Sequence, residues 1–151
     1  MMLKDKKKNK IPLGFIIIII YLIYTILSLI SAIFSKTAIF FGYILSESFA
    51  TFYYLINMLI YILIIYAIAK RKIWGWILAM VFFSLELLEG IISFLNMENI
   101  LYFFSTLSSS MSEEVIPEVA PIMAWIILIM GTIISASILI YFYKKKNYFG
   151  R

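Results

Sequence analysis

Long apolar runs alternate along the chain with short basic, acidic or polar stretches. The runs cover residues 12–34, 47–69, 73–95 and 121–143. An α-helix rises about 1.5 Å per residue, so roughly 20 apolar residues cross a hydrocarbon core of about 30 Å. The pattern predicts an all-α membrane protein, with a four-helix transmembrane bundle of up-down-up-down topology that occupies a single membrane domain.

The connections between these spans differ in character. Residues 1–10 and 144–151 are short basic tails, and residues 97–120 form an acidic loop between spans three and four. Apolar residues recur in that loop at helical spacing, which predicts a short interfacial helix. They are Ile100, Leu101, Phe103, Phe104 and Leu107.

Basic residues predict the orientation of the spans. Twelve of the 13 Lys and Arg residues lie in the N-terminal tail, between spans two and three, or at the C-terminus, and only Lys36 lies elsewhere. Because cytoplasmic loops are enriched in Lys and Arg, both termini are expected in the cytoplasm and the protein in the cell membrane, as a multi-pass protein. The residues expected as interface anchors are Trp74, Trp76, Lys70, Arg71, Lys72, Lys144, Lys145 and Lys146.

The amino-acid composition excludes several classes of catalytic site. The chain of 151 residues is 64% hydrophobic, with no histidine and no cysteine. It therefore has no disulfide, no thiolate nucleophile and no imidazole base. No catalytic set is recognisable, so the protein is expected not to be an enzyme and to carry neither metal nor cofactor. The net charge of +5 lies in blocks that flank the spans, which indicates topology rather than binding to nucleic acid.

Two carboxylic acids in the third span are the main functional signal. Glu86 follows Trp74 by twelve residues, which places it about 18 Å along the helix axis and near the bilayer midplane. Glu89, Gly90 and Ser93 follow at spacings of three, four and seven residues, so all four share one helix face. Ionisable side chains at this depth are costly and usually mark a functional site.

The other spans supply polar or small residues at a similar depth. We expect Glu86 to lie in a shared hydrogen-bond network, with Asn57 and a hydroxyl of the first span as leading partners. The candidate intramembrane polar site comprises Glu86, Glu89, Asn57, Ser28, Thr25 and Ser93. Small residues that allow close helix approach are Gly131, Ser135 and Gly90, and these are expected at helix-packing positions.

Two local motifs carry a family resemblance. Lys70-Arg71 followed by Trp74-Gly75-Trp76 enters the third span, and a basic, aromatic segment from Tyr141 to Phe149 ends the fourth. In these motifs and in its four-span layout, the chain resembles small prokaryotic four-helix integral membrane proteins of unassigned function. The resemblance implies the same bundle architecture and no particular activity.

Three interpretations of the carboxylates remain open. In the leading one the protein is a non-enzymatic interaction or accessory subunit, whose acids pair with a basic residue of another membrane protein or of a second copy. In the alternative, Glu86 and Glu89 carry a proton or cation through a small transporter or channel. In the third, both acids are neutral and only fix helix register. The lipid bilayer is an expected partner in all three.

Overall fold

A computed structural model of the protein describes residues 11–102 and 119–149, apart from the side chains of 119–121. Most of these residues are helical, and four of the described helices are long and apolar enough to cross a membrane. They are α1 (Leu13–Ile33), α2 (Glu47–Lys70), α3 (Ile73–Leu95) and α4 (Val119–Lys144). These bounds lie within two residues of the apolar runs. The N-terminal tail, most of the acidic loop and the last two residues lie outside the described residues.

A tight turn joins α2 to α3. Arg71 adopts a left-handed conformation (φ 55°), and the N–H of Lys72 donates to the carbonyl of Ala67 over 3.0 Å. Beyond the turn, Gly75 lies against Ala67, so close that a Cβ on Gly75 would be 1.9 Å from the Ala67 Cβ. The two helices therefore nearly touch through their backbones at this point.

The expectation of an all-α fold is wrong for the connection between α1 and α2. Strands β1 (Thr37–Phe40) and β2 (Tyr43–Ser46) pair antiparallel in a hairpin. The two turn residues, Phe41 and Gly42, both have positive φ values, of 49° and 77°. Positive φ at both residues defines a type I′ turn, which is favoured in two-residue hairpins because its twist matches that of the strands. A turn without Asn-Gly or Asp-Gly gives little sign of itself in a sequence.

The hairpin is fixed to the helices rather than projecting from them. The Tyr54 hydroxyl of α2 donates to the carbonyl of Thr37 over 2.6 Å, and the Asn99 amide donates to the carbonyl of Gly42 over 3.1 Å. Asn99 belongs to a helical stretch at 97–102, the only described part of the predicted interfacial helix. Ala38 and Ile100 are fully buried. The hairpin and this stretch thus cover one end of the bundle, called here the hairpin end.

The opposite end, called here the terminal end, holds the start of α1, the end of α4 and the turn between α2 and α3. Its core is aromatic: Phe15 packs against Phe142 and Phe149 with ring centroids 5.3 and 5.4 Å apart. Phe149 follows a short 3-10 helix, Lys146–Tyr148, and only 5% of its surface is exposed. The C-terminal residues expected as a basic tail therefore fold back into the core.

Candidate functional site

Glu86 connects three helices through its carboxylate. The Tyr61 hydroxyl of α2 donates to Oε1, and the Ser135 hydroxyl of α4 donates to Oε2 over 3.0 Å. Tyr61 and Ser135 are buried, with 6% and 7% of their surfaces exposed. Glu86 therefore lies inside the bundle, on the face of α3 that the sequence predicts.

Glu89 lies one turn further towards the hairpin end. The Tyr53 hydroxyl of α2 lies 3.2 Å from each of its carboxylate oxygens. The backbone of Phe41, in the hairpin turn, also interacts with this carboxylate. The two acids are thus held by neutral groups from α2, α4 and the hairpin.

Both carboxylates line a cavity of about 300 Å³ within the bundle. One water molecule takes up about 30 Å³ in the liquid, so the space admits several waters or a small solute. Its polar walls come from α2, α3 and α4, and α1 adds Tyr21 and Leu29. The polar residues on those three helices are Tyr53, Asn57, Tyr61, Glu86, Glu89, Ser93, Thr132 and Ser135.

The cavity occupies the hairpin half of the bundle. Ile39 of β1 and the buried Ile100 contribute to its lining from the hairpin end. Towards the terminal end the bundle is filled by fully buried side chains, including Leu22, Ile64 and Phe83. A solute in the cavity would therefore meet a packed apolar core on one side and the hairpin on the other.

The predicted partners of Glu86 are not its donors. Asn57 lines the cavity, but its amide donates to the carbonyl of Tyr53 in its own helix over 2.8 Å. Thr25 and Ser28 donate to α1 carbonyls four residues back, over 2.9 and 3.1 Å. Serine and threonine inside helices often bond in this way, which leaves no donor for a neighbouring helix.

Two tyrosines take the place of the expected donors. Tyr53 and Tyr61 flank Asn57 at spacings of four residues, which places all three along one side of a helix. That spacing is the signal from which they could have been found. Ser93, also predicted, is 98% buried and lines the cavity.

The three small residues predicted at packing positions differ in their surroundings. A Cβ on Gly90 would lie 2.6 Å from the Thr132 hydroxyl, so α3 and α4 approach closely there. Ser135 bonds to Glu86 instead of serving only as a small contact. Gly131 has open space where its Cβ would be, so among the described residues it mediates no close helix contact.

The predicted interface anchors gather at the terminal end. The Trp76 indole N–H donates to the carbonyl of Phe142 over 2.9 Å, and the Lys146 ammonium lies 5.0 Å from the Trp76 ring centroid. Arg71 lies over the Tyr148 ring at the same distance. Trp74 is 40% exposed and stacks on Tyr66. Trp76 therefore ties α3 to α4, while Trp74 faces outwards.

The ionisable side chains that line the site, apart from tyrosines, are both acidic: Glu86 and Glu89. No basic side chain is among the described residues that line the cavity. In the described ranges, no three acidic or other metal-ligating side chains come close enough together to hold a metal ion. The two carboxylates can therefore accept a proton, or bind a cation that needs few direct oxygen ligands.

Comparison with protein-family models, with curated proteins and with solved structures gives no match to this chain. The geometry of the carboxylate cavity is thus the basis for a functional proposal.

Proposed function

We propose that the protein binds a cation in the cavity beside Glu86 and Glu89, and works as a small proton- or cation-coupled transporter or channel. The observation that carries the proposal is the pair of carboxylates in one cavity, with hydroxyl donors around them and no basic residue in the described lining. A charged acid at the centre of a membrane costs on the order of 2.5–3.5 kcal/mol in insertion experiments. Hydroxyl donors offset part of that cost, and a bound proton or cation offsets the rest.

Proton and cation would compete for the same oxygens, which gives a means of coupling. A cation entering the cavity displaces the proton of a neutral carboxylic acid, and the proton leaves to water. When the cation departs, the carboxylate takes up a proton again. Each exchange keeps the site close to electrically neutral, so the site never carries two unpaired charges in the membrane.

We also propose that the four helices cross the cell membrane in up-down-up-down order, with both termini in the cytoplasm and residues 97–120 outside. Support comes from the terminal end, where Arg71 and Lys146 lie over aromatic rings of Tyr148 and Trp76. The basic blocks at residues 70–72 and 144–146 thus belong to one end of the bundle, as the positive-inside rule requires. In this orientation the hairpin and the cavity lie towards the outer surface.

The proposal is tested by flux in proteoliposomes that contain a trapped pH-sensitive dye. An imposed pH gradient should drive cation uptake coupled to proton exit in the parent protein. Glu86→Gln keeps the size and a hydrogen-bond acceptor for Tyr61, and it should abolish the flux. Glu98→Gln is the matched control, because Glu98 is exposed and does not line the cavity, and it should retain full flux. Equal flux in all three proteins would refute the assignment.

An interaction or accessory subunit is the second candidate function. The observation that favours it is Gly131, which is exposed, lines the carboxylate cavity and has open space where a Cβ would be. A basic side chain of a partner's helix could therefore reach the two acids past this residue. In this case Gly131→Leu should abolish co-purification with a specific membrane protein or a second copy, and Gly131→Ala should weaken it less. Unchanged association in Gly131→Leu would remove this candidate.

A further inference from the structure

We propose that the cation is the head of an amphipathic organic molecule, and that the apolar part of this molecule lies in a groove on the outside of α2 and α3. The inference rests on the proposed cation-binding function and names the class of ligand. Its argument comes from a second cavity that meets the first at the carboxylates.

The groove lies between the hairpin, α2 and α3, and has a volume of about 570 Å³. Its walls are mainly aromatic and aliphatic. The aromatic residues are Phe40, Phe41, Phe49, Phe52, Tyr53 and Phe82. Pockets for small organic molecules are typically of about 300–1,000 Å³, mostly apolar, with a few polar groups that fix orientation. The groove fits that description.

The groove and the bundle cavity share four lining residues: Tyr53, Asn57, Glu86 and Glu89. The carboxylates therefore stand at the boundary between an apolar space and a polar one. Phe49, Phe52 and Leu85 on the groove side are 76%, 65% and 50% exposed. In a spanning bundle, this side faces the hydrocarbon of the lipid. A molecule dissolved in the bilayer would thus reach the acids without crossing the packed core.

The charge and the aromatic walls together select the occupant. Phe40 packs edge-to-face against both Phe41 and Tyr53, with ring centroids 4.7 and 5.5 Å apart, and Tyr53 bonds to Glu89. Aromatic faces beside a carboxylate suit an alkylated ammonium group, which is attracted to both. A lipid acyl chain would leave the carboxylates without a counter-charge. A small inorganic cation would leave the groove unused.

Isothermal titration calorimetry on the full chain in lipid nanodiscs tests the inference, with empty nanodiscs subtracted. Three probes separate the contributions of charge and of apolar surface to the binding affinity. Benzyltrimethylammonium has a positive charge and an apolar ring, whereas tetramethylammonium has the charge alone. Neopentylbenzene is the uncharged carbon isostere of benzyltrimethylammonium. We expect benzyltrimethylammonium to bind at least tenfold more tightly than tetramethylammonium. Neopentylbenzene should bind no more than to empty nanodiscs.

A matched pair of variants tests the groove itself. Leu85 lines it, whereas Leu88, on the same helix and with a similar exposure of 47% against 50%, lines neither space. Leu85→Trp should weaken benzyltrimethylammonium binding at least tenfold and leave tetramethylammonium unaffected, and Leu88→Trp should change neither. If Leu85→Trp does not fold, Ile56→Trp in the groove and Leu59→Trp outside it make the same comparison on α2.

The possible failures are distinguishable. If tetramethylammonium and benzyltrimethylammonium bind equally and Leu85→Trp binds both like the parent, the groove plays no part, but the cation site stands. If neopentylbenzene binds as tightly as benzyltrimethylammonium, the groove accepts apolar chains regardless of charge, and the inference is overturned. If no cation binds the parent protein, the proposed function itself fails.

Discussion

Gly75→Ala tests the close approach of α2 and α3 just beyond the turn that joins them. A Cβ at this position would lie 1.9 Å from the Ala67 Cβ, whereas carbon atoms in contact normally lie about 3.5–4.0 Å apart. The Ala67 Cβ is fixed to its backbone and cannot turn aside. The helices must therefore move apart by roughly 1.5–2 Å at this point.

Overpacking of this kind costs typically about 1–3 kcal/mol. A loss of about 2 kcal/mol corresponds to a fall of roughly 30-fold in the folding equilibrium constant. The assay is reversible unfolding of the full chain in mixed micelles, followed by circular dichroism and by tryptophan fluorescence. Trp74 and Trp76, two of the three tryptophans of the chain, flank the substituted residue, so much of the fluorescence reports on the region that should loosen.

Two further Gly→Ala variants supply a graded control. At Gly90 the nearest atom is the Thr132 hydroxyl at 2.6 Å, the end of a side chain that can rotate, so we expect a smaller loss. At Gly131 nothing lies within 4 Å, and stability should be unchanged or slightly higher. If Gly75→Ala proved as stable as Gly131→Ala, the close contact between α2 and α3 would be refuted.

Two other predictions concern the two ends of the bundle. Phe149→Ala should lower the free energy of unfolding by about 3 kcal/mol, because Phe149 is only 5% exposed. Phe34→Ala is the control and should change it little, because Phe34 is 82% exposed. Equal effects of the two substitutions in the unfolding assay would contradict the packing of Phe149 in the core. Tyr54→Phe removes the hydrogen bond to Thr37, a loss of about 1 kcal/mol, so amide exchange in the hairpin should accelerate about fivefold. Tyr24→Phe, at a 69% exposed position, is the control, and identical exchange in both variants would show that Tyr54 does not fix the hairpin.

The positions of the long helices were the part of the fold that could be predicted best from the sequence, because these helices are expected to lie in lipid. Backbone polar groups cannot remain unpaired in hydrocarbon, so an apolar run of sufficient length must be helical. The ends of the runs are therefore visible from charges and polar residues alone, as at Lys70 and Lys144. Glu86 and Glu89 were visible for the same reason, since acids are rare at such depth.

What the sequence did not reveal depends on contacts between distant residues. The four-residue strands of the hairpin are stabilised by Tyr54 and Asn99, which lie 17 and 57 residues from their partners. Phe149 packs in the core next to Tyr148, whose hydroxyl donates a hydrogen bond to the Ile68 carbonyl, 80 residues away. Tyr53 and Tyr61 were missed as donors because tyrosine also occurs in apolar spans without any functional role. Only the neighbouring residues in the fold determine which acceptor its hydroxyl binds.

Proton release on cation binding is the measurement that tests the central claim most directly. Benzyltrimethylammonium and tetramethylammonium are each added to the full chain in weakly buffered nanodiscs, at a pH low enough for the acids to be neutral, and the pH change is recorded. The account predicts acidification that saturates with cation concentration in the parent and in Glu98→Gln, and none in the double variant Glu86→Gln/Glu89→Gln. Acidification of equal size in the double variant, or none in the parent at any pH, would contradict a site in which cation and proton share these two carboxylates.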